Sequence, residues 1–458
     1  MTTSERNDAT NRNGAPNAAT RRHFFTASGL VVGASCLSAL QSSVGLENRK
    51  RPRVAVIFTV FHFRSHAHVI LENFLEDYLF NGRLTDPGVD VVSFYADQLS
   101  ERDMSHDVSQ KYKIPIFSTI RSALCLGGTE LAVDAVLLIG EHGNYSVNEL
   151  GQQLYPRKRF FDETIMVMKQ SQRFVPVFND KHLSYSWQQA KAMVGESRQL
   201  GIPLMAGSSV PLAQRRPPLE FLPGSNFQEA VVVHGGSIES YDFHGLELLQ
   251  SMVEMRRGGE TGIESVEFLA GDAVWRAAEE GKWSLDLAKT AMEVEWGQPL
   301  SSLRQLPGEE PYQPHAILLQ YRDHFKATIV RIGKSYTRWN FACRRVGQDK
   351  VDATSLYTGP WGNRNLFGAL AHAIQCHFRQ GQSPFPVERT LMVTGVLEAA
   401  ARSRKQSTVM PTPELHWGYT AQDFKAMREL GKSWEILSKD VPQPPGVDPL
   451  GAARNKLP

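Results

Sequence analysis

Phe174-Val175-Pro176-Val177-Phe178-Asn179-Asp180-Lys181-His182 is the stretch on which the fold turns. A short apolar run with β-branched residues stops at four polar residues, and 186–200 follows at helical spacing. Then comes Gly201-Ile202-Pro203-Leu204-Met205-Ala206-Gly207-Ser208-Ser209, a second apolar run ending in small polar residues. Strand, helix and strand in so little chain make a βαβ unit. Parallel sheets of this kind carry their chemistry at the carboxyl ends of the strands, so two strand tips here form a pocket floor.

Upstream the alternation repeats. Strands are expected over 54–59, 89–95 and 133–139, with helices over 66–80, 116–126 and 160–171. The reading is α/β: a Rossmann-like doubly wound parallel sheet over residues 51–210. Past the proline-rich Arg215-Arg216-Pro217-Pro218 the pattern changes. Strands over 229–233, 263–269, 316–321, 326–332 and 339–346, with a helix over 244–257, predict an α+β domain with a largely antiparallel sheet over 211–404. Helices over 365–379 and 387–404 complete it, the last packing back, and 405–458 reads as a C-terminal tail.

The chain has 458 residues, room for two or three domains, and a net charge of +2. Its arginine clusters are short and solvated, so nothing favours nucleic acid. Residues 1–50 are set apart as a disordered N-terminus and signal segment. Thr20-Arg21-Arg22-His23-Phe24-Phe25 precedes a small, apolar run over 26–40 and resembles a twin-arginine export signal. That run is too short for a comfortable membrane span, so a periplasmic or extracellular protein without a stable span after processing is expected. Beyond the leader only Cys125, Cys343 and Cys376 remain, with no CxxC pair, which excludes a disulfide scaffold and a cysteine zinc site.

Dinucleotide folds leave their first strand through glycines that let the backbone approach pyrophosphate. Here the turn is Thr59-Val60-Phe61-His62-Phe63-Arg64-Ser65-His66, and no glycine occurs between Val54 and Phe80. Arg64 can neutralise phosphate, Thr59 or Ser65 can donate a hydrogen bond, and Asp97 lies two residues past the second strand, where a ribose would be held. The expectation is weak or altered dinucleotide binding, with Arg64 compensating for the bulk of Phe61 and Phe63.

The order of these motifs resembles the Gfo/Idh/MocA family of oxidoreductases over roughly residues 52–404. Val54-Ala55-Val56-Ile57-Phe58-Thr59 with His66-Ala67-His68 falls where that family has its first strand, loop and histidine-containing helix. Asp180-Lys181-His182 stands in place of its Glu-Lys-Pro motif, with Asp180 for glutamate and His182 for proline. His244 in Tyr241-Asp242-Phe243-His244-Gly245-Leu246-Glu247 looks like its histidine at the start of a long helix, with Glu247 as the acid three residues on. The resemblance implies NAD or NADP on the first domain, a sugar- or polyol-like substrate between domains, and dimers or tetramers built on an open sheet face. On that basis the cofactor residues would be Thr59, Phe61, His62, Arg64, Asp97, Glu141 and His142. Asn144, His182, Asp242 and Glu247 would bind substrate.

Lys181 and His244 are the candidate catalytic residues, with Asp180 orienting the lysine. Hydride transfer from an alcohol needs a base for the hydroxyl proton or a cation at the carbonyl. Glu141-His142-Gly143-Asn144-Tyr145 adds a carboxylate, an imidazole and an amide at another strand tip. Histidines are dense around the cleft, but the HxH at His66-Ala67-His68 begins a helix and would diverge, no HExxH occurs, and no metal is assigned. Ser208 and Ser209 lack the GxSxG elbow of a serine hydrolase. Tyr336, Trp339, Tyr357 and Trp361 can stack on a sugar ring or fill a core. Besides an NAD(P)-dependent oxidoreductase acting on a carbohydrate or polyol, two alternatives stand: a non-redox sugar lyase or hydrolase, and a non-catalytic ligand-binding protein.

Overall fold

The computed structural model describes residues 50–441 and 447; the segment expected to be an export signal and the last part of the expected tail lie outside them. The first strand, β1 (Arg53–Phe58), is buried from Val54 to Phe58, as an apolar β-branched run demands. It leads through the turn at 59–65 into α1 (His66–Leu75), whose N-cap Ser65 accepts from the His68 amide. The helix stops five residues short of the expected end. Asn81 and Gly82, both at positive φ, turn β2 (Tyr78–Phe80) into β3 (Arg83–Thr85) as a two-residue hairpin. Next come β4 (Asp90–Ala96), α2 (Ser105–Tyr112), β5 (Ile116–Phe117), α3 (Ile120–Leu124), β6 (Ala135–Ile139), α4 (Arg157–Gln170), β7 (Val177–Asp180), α5 (Trp187–Gln199) and β8 (Leu204–Gly207). The expected helix over 116–126 is thus a strand and a short helix, separated by the Thr119 N-cap.

The six long-range strands of this half pair in parallel in the order β5-β4-β1-β6-β7-β8. That is the doubly wound order, and its switch point falls between β1 and β6. The carboxyl ends of those two strands are Thr59 and Gly140-Glu141-His142, so topology alone brings these residues together.

The second half contains β9 (Gln214–Arg216), β10 (Phe227–His234), α6 (Ser240–Val253), β11 (Ile263–Ala270), α7 (Asp272–Glu279), α8 (Leu285–Trp296), β12 (His315–Tyr321), β13 (Lys326–Arg331), β14 (Trp339–Arg345) and β15 (Asp352–Tyr357). The chain closes with α9 (Asn363–Gln380), α10 (Val387–Gln406), β16 (Met410–Pro411) and α11 (Ser433–Ile436). Eight strands form one sheet, β16-β11-β12-β13-β10-β14-β15-β9, antiparallel except where β10 runs parallel to β13.

Ala230 and Val232 of β10 join the core shared with the parallel sheet, while Val231 and Val233 face the opposite way, onto α7 and α8. A strand buried on both faces reads as an unbroken apolar run, which is why 230–233 shows no alternation. Helix α8 packs on β10, β14 and β15, so that face of the large sheet is covered by this chain. From Arg51 onward the chain is one compact unit, and residues of both sheets belong to a single apolar cluster. The closing helix is fixed by a fully buried pair: Arg389 of α10 donates to both oxygens of Glu254, the C-cap of α6. No helix of the described residues is long and apolar enough to cross a membrane.

Helix α9 carries a testable acid sensitivity. Burial, and then Arg379, push the His372 imidazole down to about 4, and its Nδ1 meets the Tyr78 hydroxyl at 2.7 Å. The unfolded chain takes up a proton near pH 6.5 that the folded chain refuses until about 4. Stability is therefore intact above pH 6.5 and falls as the pH drops through that window, by about 3 kcal/mol for one such group. His372→Asn should flatten the decline of the denaturation midpoint between pH 7 and 4.5. An identical slope in both proteins would remove His372 as its source.

Candidate functional site

A cleft of about 380 Å³ opens over the carboxyl ends of the parallel strands and is closed from the other side by α6, β14 and α9. The turn after β1 contributes Arg64 and His66, β6 contributes Glu141 and His142, and β7 contributes Lys181. Helix α6 adds Ser240, Tyr241 and His244, and Trp339 and Phe367 form apolar walls. Tyr241 lies flat on Trp339 with ring centroids 5.3 Å apart. The Tyr241 ring also presses on the backbone at Gly236, where any Cβ would stand 1.9 Å from it.

Three non-glycine residues of the cleft hold left-handed backbones: Arg64 (φ 62°), His142 (φ 67°) and Lys181 (φ 65°). Each such conformation costs on the order of 1 kcal/mol or more and persists where the surroundings over-determine it, most often at functional sites. For Lys181 the cause is visible. It continues past β7 into a bridge with Gly207, and its Nζ is held by Glu141 Oε1 at 3.1 Å and Ser240 Oγ at 3.0 Å.

Two charge systems meet at the floor. In the first, buried Glu141 lies between Lys181 and Arg157, whose Nη2 stands 2.5 Å from Oε2. Burial opposes ionisation, but Lys181 and Arg157 outweigh it and hold the Glu141 carboxyl well below the usual range. In the second, His66 Nδ1 lies 2.6 Å from Asp180 Oδ2, with Asp180 almost wholly buried. A carboxylate only accepts, so Nδ1 carries a proton, and in the neutral ring the free lone pair is on Nε2.

His244 is arranged the opposite way. Ser208 Oγ lies 2.6 Å from its Nδ1 and already accepts from the Val210 amide. The Ser208 hydroxyl is thereby free to donate to Nδ1, placing the His244 proton on Nε2. Burial, then Lys181, hold this imidazole well below 6.5. His142 is likewise lowered to about 4, chiefly by burial. At neutral pH both are uncharged.

Of the residues singled out in the sequence, Lys181, His244, Glu141, His142 and Arg64 line this cleft, and Asp180 acts on it through His66. His62 stands at the rim, edge-on to His142. The others point elsewhere. Thr59 is buried and donates to the Glu141 carbonyl at 2.6 Å. Phe61 packs edge-on against Phe58 in the core. His182 lies beneath the floor, with Nε2 3.0 Å from Arg157 Nη1. Glu247 is fully buried beside Gly207 and Thr390, and burial raises it to about 7.

Asp242 sits in a buried group with His315 (2.7 Å) and His234 (3.2 Å). Among the described residues this is the one cluster with metal-ligand spacing. However, the Gly236 amide points at His234 Nδ1, which puts the ring proton on Nε2, facing Asp242. Asp242 also caps α6 through the Glu239 amide. Asp242 is thus satisfied by His315 and the Glu239 amide, whereas His234 Nε2 faces it at 3.2 Å without a well-aligned hydrogen bond.

The turn after β1 does not form a dinucleotide cradle. Its amides are used internally: His62 donates to Ser65 Oγ, Arg64 to His68 Nδ1 and Ser65 to the His62 carbonyl. The Arg64 guanidinium is turned to the Trp361 carbonyl and Asn363. A latch closes the trough above β1. Gln98 exchanges two hydrogen bonds with the backbone of Asn144, whose side chain is exposed. Asp97 is occupied by Tyr95, Tyr145 and Arg159. Gly143, at φ 101°, is wedged so tightly that a Cβ would meet Tyr145 at 2.8 Å and Gln98 at 3.0 Å. The residues present therefore do not fit a dinucleotide in the usual trough.

No protein-family model matches this chain, and no curated protein matches it either. Among solved structures it is similar to a probable dehydrogenase from Thermotoga maritima, at 11% identity and a TM-score of 0.48, over 79% of this chain and 99% of that one. It is also similar to apo scyllo-inositol dehydrogenase from Lactobacillus casei, at 9% identity and 0.47, over 79% and 98%. A third is GenD2 from gentamicin A biosynthesis in complex with NAD, at 14% identity and 0.49, over 79% and 97%.

Proposed function

We propose that the cleft is a proton-transfer site acting on a small carbohydrate-type substrate, a polyhydroxylated acid or keto sugar. The observation that carries this reading is the 2.6 Å contact between Asp180 and the Nδ1 of His66, a residue lining the cleft, which leaves Nε2 as the nitrogen available to act as a base. His66 Nε2 takes a proton from the carbon beside a carbonyl or carboxylate. Lys181 and the Nε2–H of His244 stabilise the oxygen on which negative charge then develops. The proton taken up by His66 then either exchanges with solvent and returns to the carbon, or passes to a β-hydroxyl that leaves as water, which gives elimination. Tyr241 and Trp339 supply an apolar wall for the sugar ring.

The test is hydrogen–deuterium exchange followed by proton NMR. Sugar acids and keto sugars incubated with the full-length protein in D₂O should lose the signal of the α-carbon hydrogen, and His66→Ala should abolish the loss. Exchange that persists in His66→Ala would reject this reading.

A second reading keeps the chemistry suggested by the doubly wound strand order and the dehydrogenase-like backbone: an NAD(P)-dependent oxidoreductase acting on a polyol. It requires the 143–145 latch to open. Stoichiometric nicotinamide in the supernatant of the denatured protein, or calorimetric binding at millimolar NAD(P), would favour it. Absence of both would leave the proton-transfer reading.

A further inference from the structure

We propose that the cleft is the inner end of a two-chamber groove that binds an anionic oligosaccharide. The proposal rests on the carbohydrate reading of the inner cleft and names the length and charge of its ligand. Beyond Arg64, Tyr336, Thr337 and Thr358, which line both chambers, a second trough of about 570 Å³ runs along the β15–β9 edge of the large sheet. The inner chamber alone has the size of a pocket for one small ligand. A monosaccharide would leave the outer trough empty.

The outer trough alternates aromatic faces with positive charge. Tyr357 and Trp361 line it, and the Arg216 guanidinium lies 3.6 Å above the Tyr357 ring. Lys439 is exposed at its border. Arg216 is held by Gln214 Oε1 at 2.7 Å, so it is positioned without being neutralised. Among the described residues no carboxylate pairs with Arg64, Arg216 or Lys439. The one acid lining the trough, Glu295, is already bound to Arg338 and Asn340. The Trp361 ring suits the apolar side of a sugar ring, and unpaired cations suit carboxylate or sulfate substituents. Stacking faces and cations also suit single-stranded nucleic acid. The net charge of only +2 and the short arginine clusters, however, do not favour nucleic acid.

Calorimetry on the full-length protein at low salt tests this. The probes are mono-, di- and tetragalacturonate, a neutral cello-oligosaccharide series, a sulfated chondroitin tetrasaccharide and a single-stranded oligonucleotide. Affinity should rise roughly tenfold or more from mono- to tetragalacturonate, the worth of one charge-assisted contact, and the neutral series should show no such rise. Tighter binding of the sulfated than of the carboxylated tetrasaccharide would assign the ligand to sulfated glycans, and the reverse to polyuronates. The exposed pair Arg216→Ala/Lys439→Ala should remove the length dependence and leave monomer affinity and thermal midpoint unchanged. Equal affinity for all lengths, equal binding of the neutral series, or tighter binding of the oligonucleotide would overturn the proposal. Length-dependent binding without isotope exchange would sink the proton-transfer reading and leave the groove standing.

Discussion

Asp180→Asn is expected to reduce isotope exchange at the substrate carbon by about 10²–10⁴-fold, the usual worth of a positioned general base, with little change in folding. Asparagine fills the same volume beneath His66, but its amide can donate to Nδ1 as readily as accept from it. Once Nδ1 accepts, the ring proton moves to Nε2, and the face turned to substrate becomes a donor. The base is lost although every atom stays in place, the same tautomer logic that makes the carboxylate of a Ser-His-Asp triad important. Exchange rates by NMR and the thermal midpoint, measured on the same sample, separate the two effects. Wild-type exchange in Asp180→Asn would mean that His66 is only a wall of the cleft.

The parallel sheet was legible because its strands are short apolar runs separated by amphipathic helices, and such runs have one common solution in an α/β layer. Val54 to Phe58 and Ala135 to Ile139 are indeed paired in parallel. In the second half the strand-rich reading passes over α7 and α8, although Val274, Trp275 and Ala277, then Leu287, Ala288, Ala291 and Met292, recur at helical spacing and are buried. The helix expected over 66–80 likewise overlooks Asn81-Gly82, the strongest short hairpin signal in that region.

Within the site, the strand-tip residues Lys181, Glu141 and His142 could be singled out because topology places strand tips together. The pairing of His66 with Asp180 could not. The two lie 114 positions apart, and each has an unremarkable local context, one in the first turn of a helix and the other ending a strand. Arg157 is hidden for the same reason. It is the first residue of α4, an ordinary place for a surface arginine, and only the fold shows it buried against Glu141. Local pattern reveals which residues reach the cleft, but not which partners set their protons.

That hidden arginine underlies the second large effect. Glu141→Gln should destabilise the protein by about 3–5 kcal/mol, the range for removing one partner of a buried ion pair. Glu141 is the carboxylate shared by Arg157 and Lys181, whose side chains are 1% and 4% exposed. The amide keeps the shape and one acceptor but removes the charge that balances both cations. Lys181 retains Ser240, whereas Arg157 retains only the neutral His182 and the face of Tyr155. Arg157→Met in the same chain should recover much of the loss, because an apolar side chain needs no counter-charge, and a double-mutant cycle on denaturation midpoints measures that coupling. The pH dependence has a definite sign. Glu141 is held below its unfolded value, so its contribution is complete above about pH 4.3 and disappears as the pH falls further. Wild type and Glu141→Gln should therefore differ by a constant amount near neutrality and converge in acid. A variant as stable as wild type at pH 7 would show that water reaches Arg157, and that the floor of the cleft is not the closed electrostatic unit on which Lys181 depends.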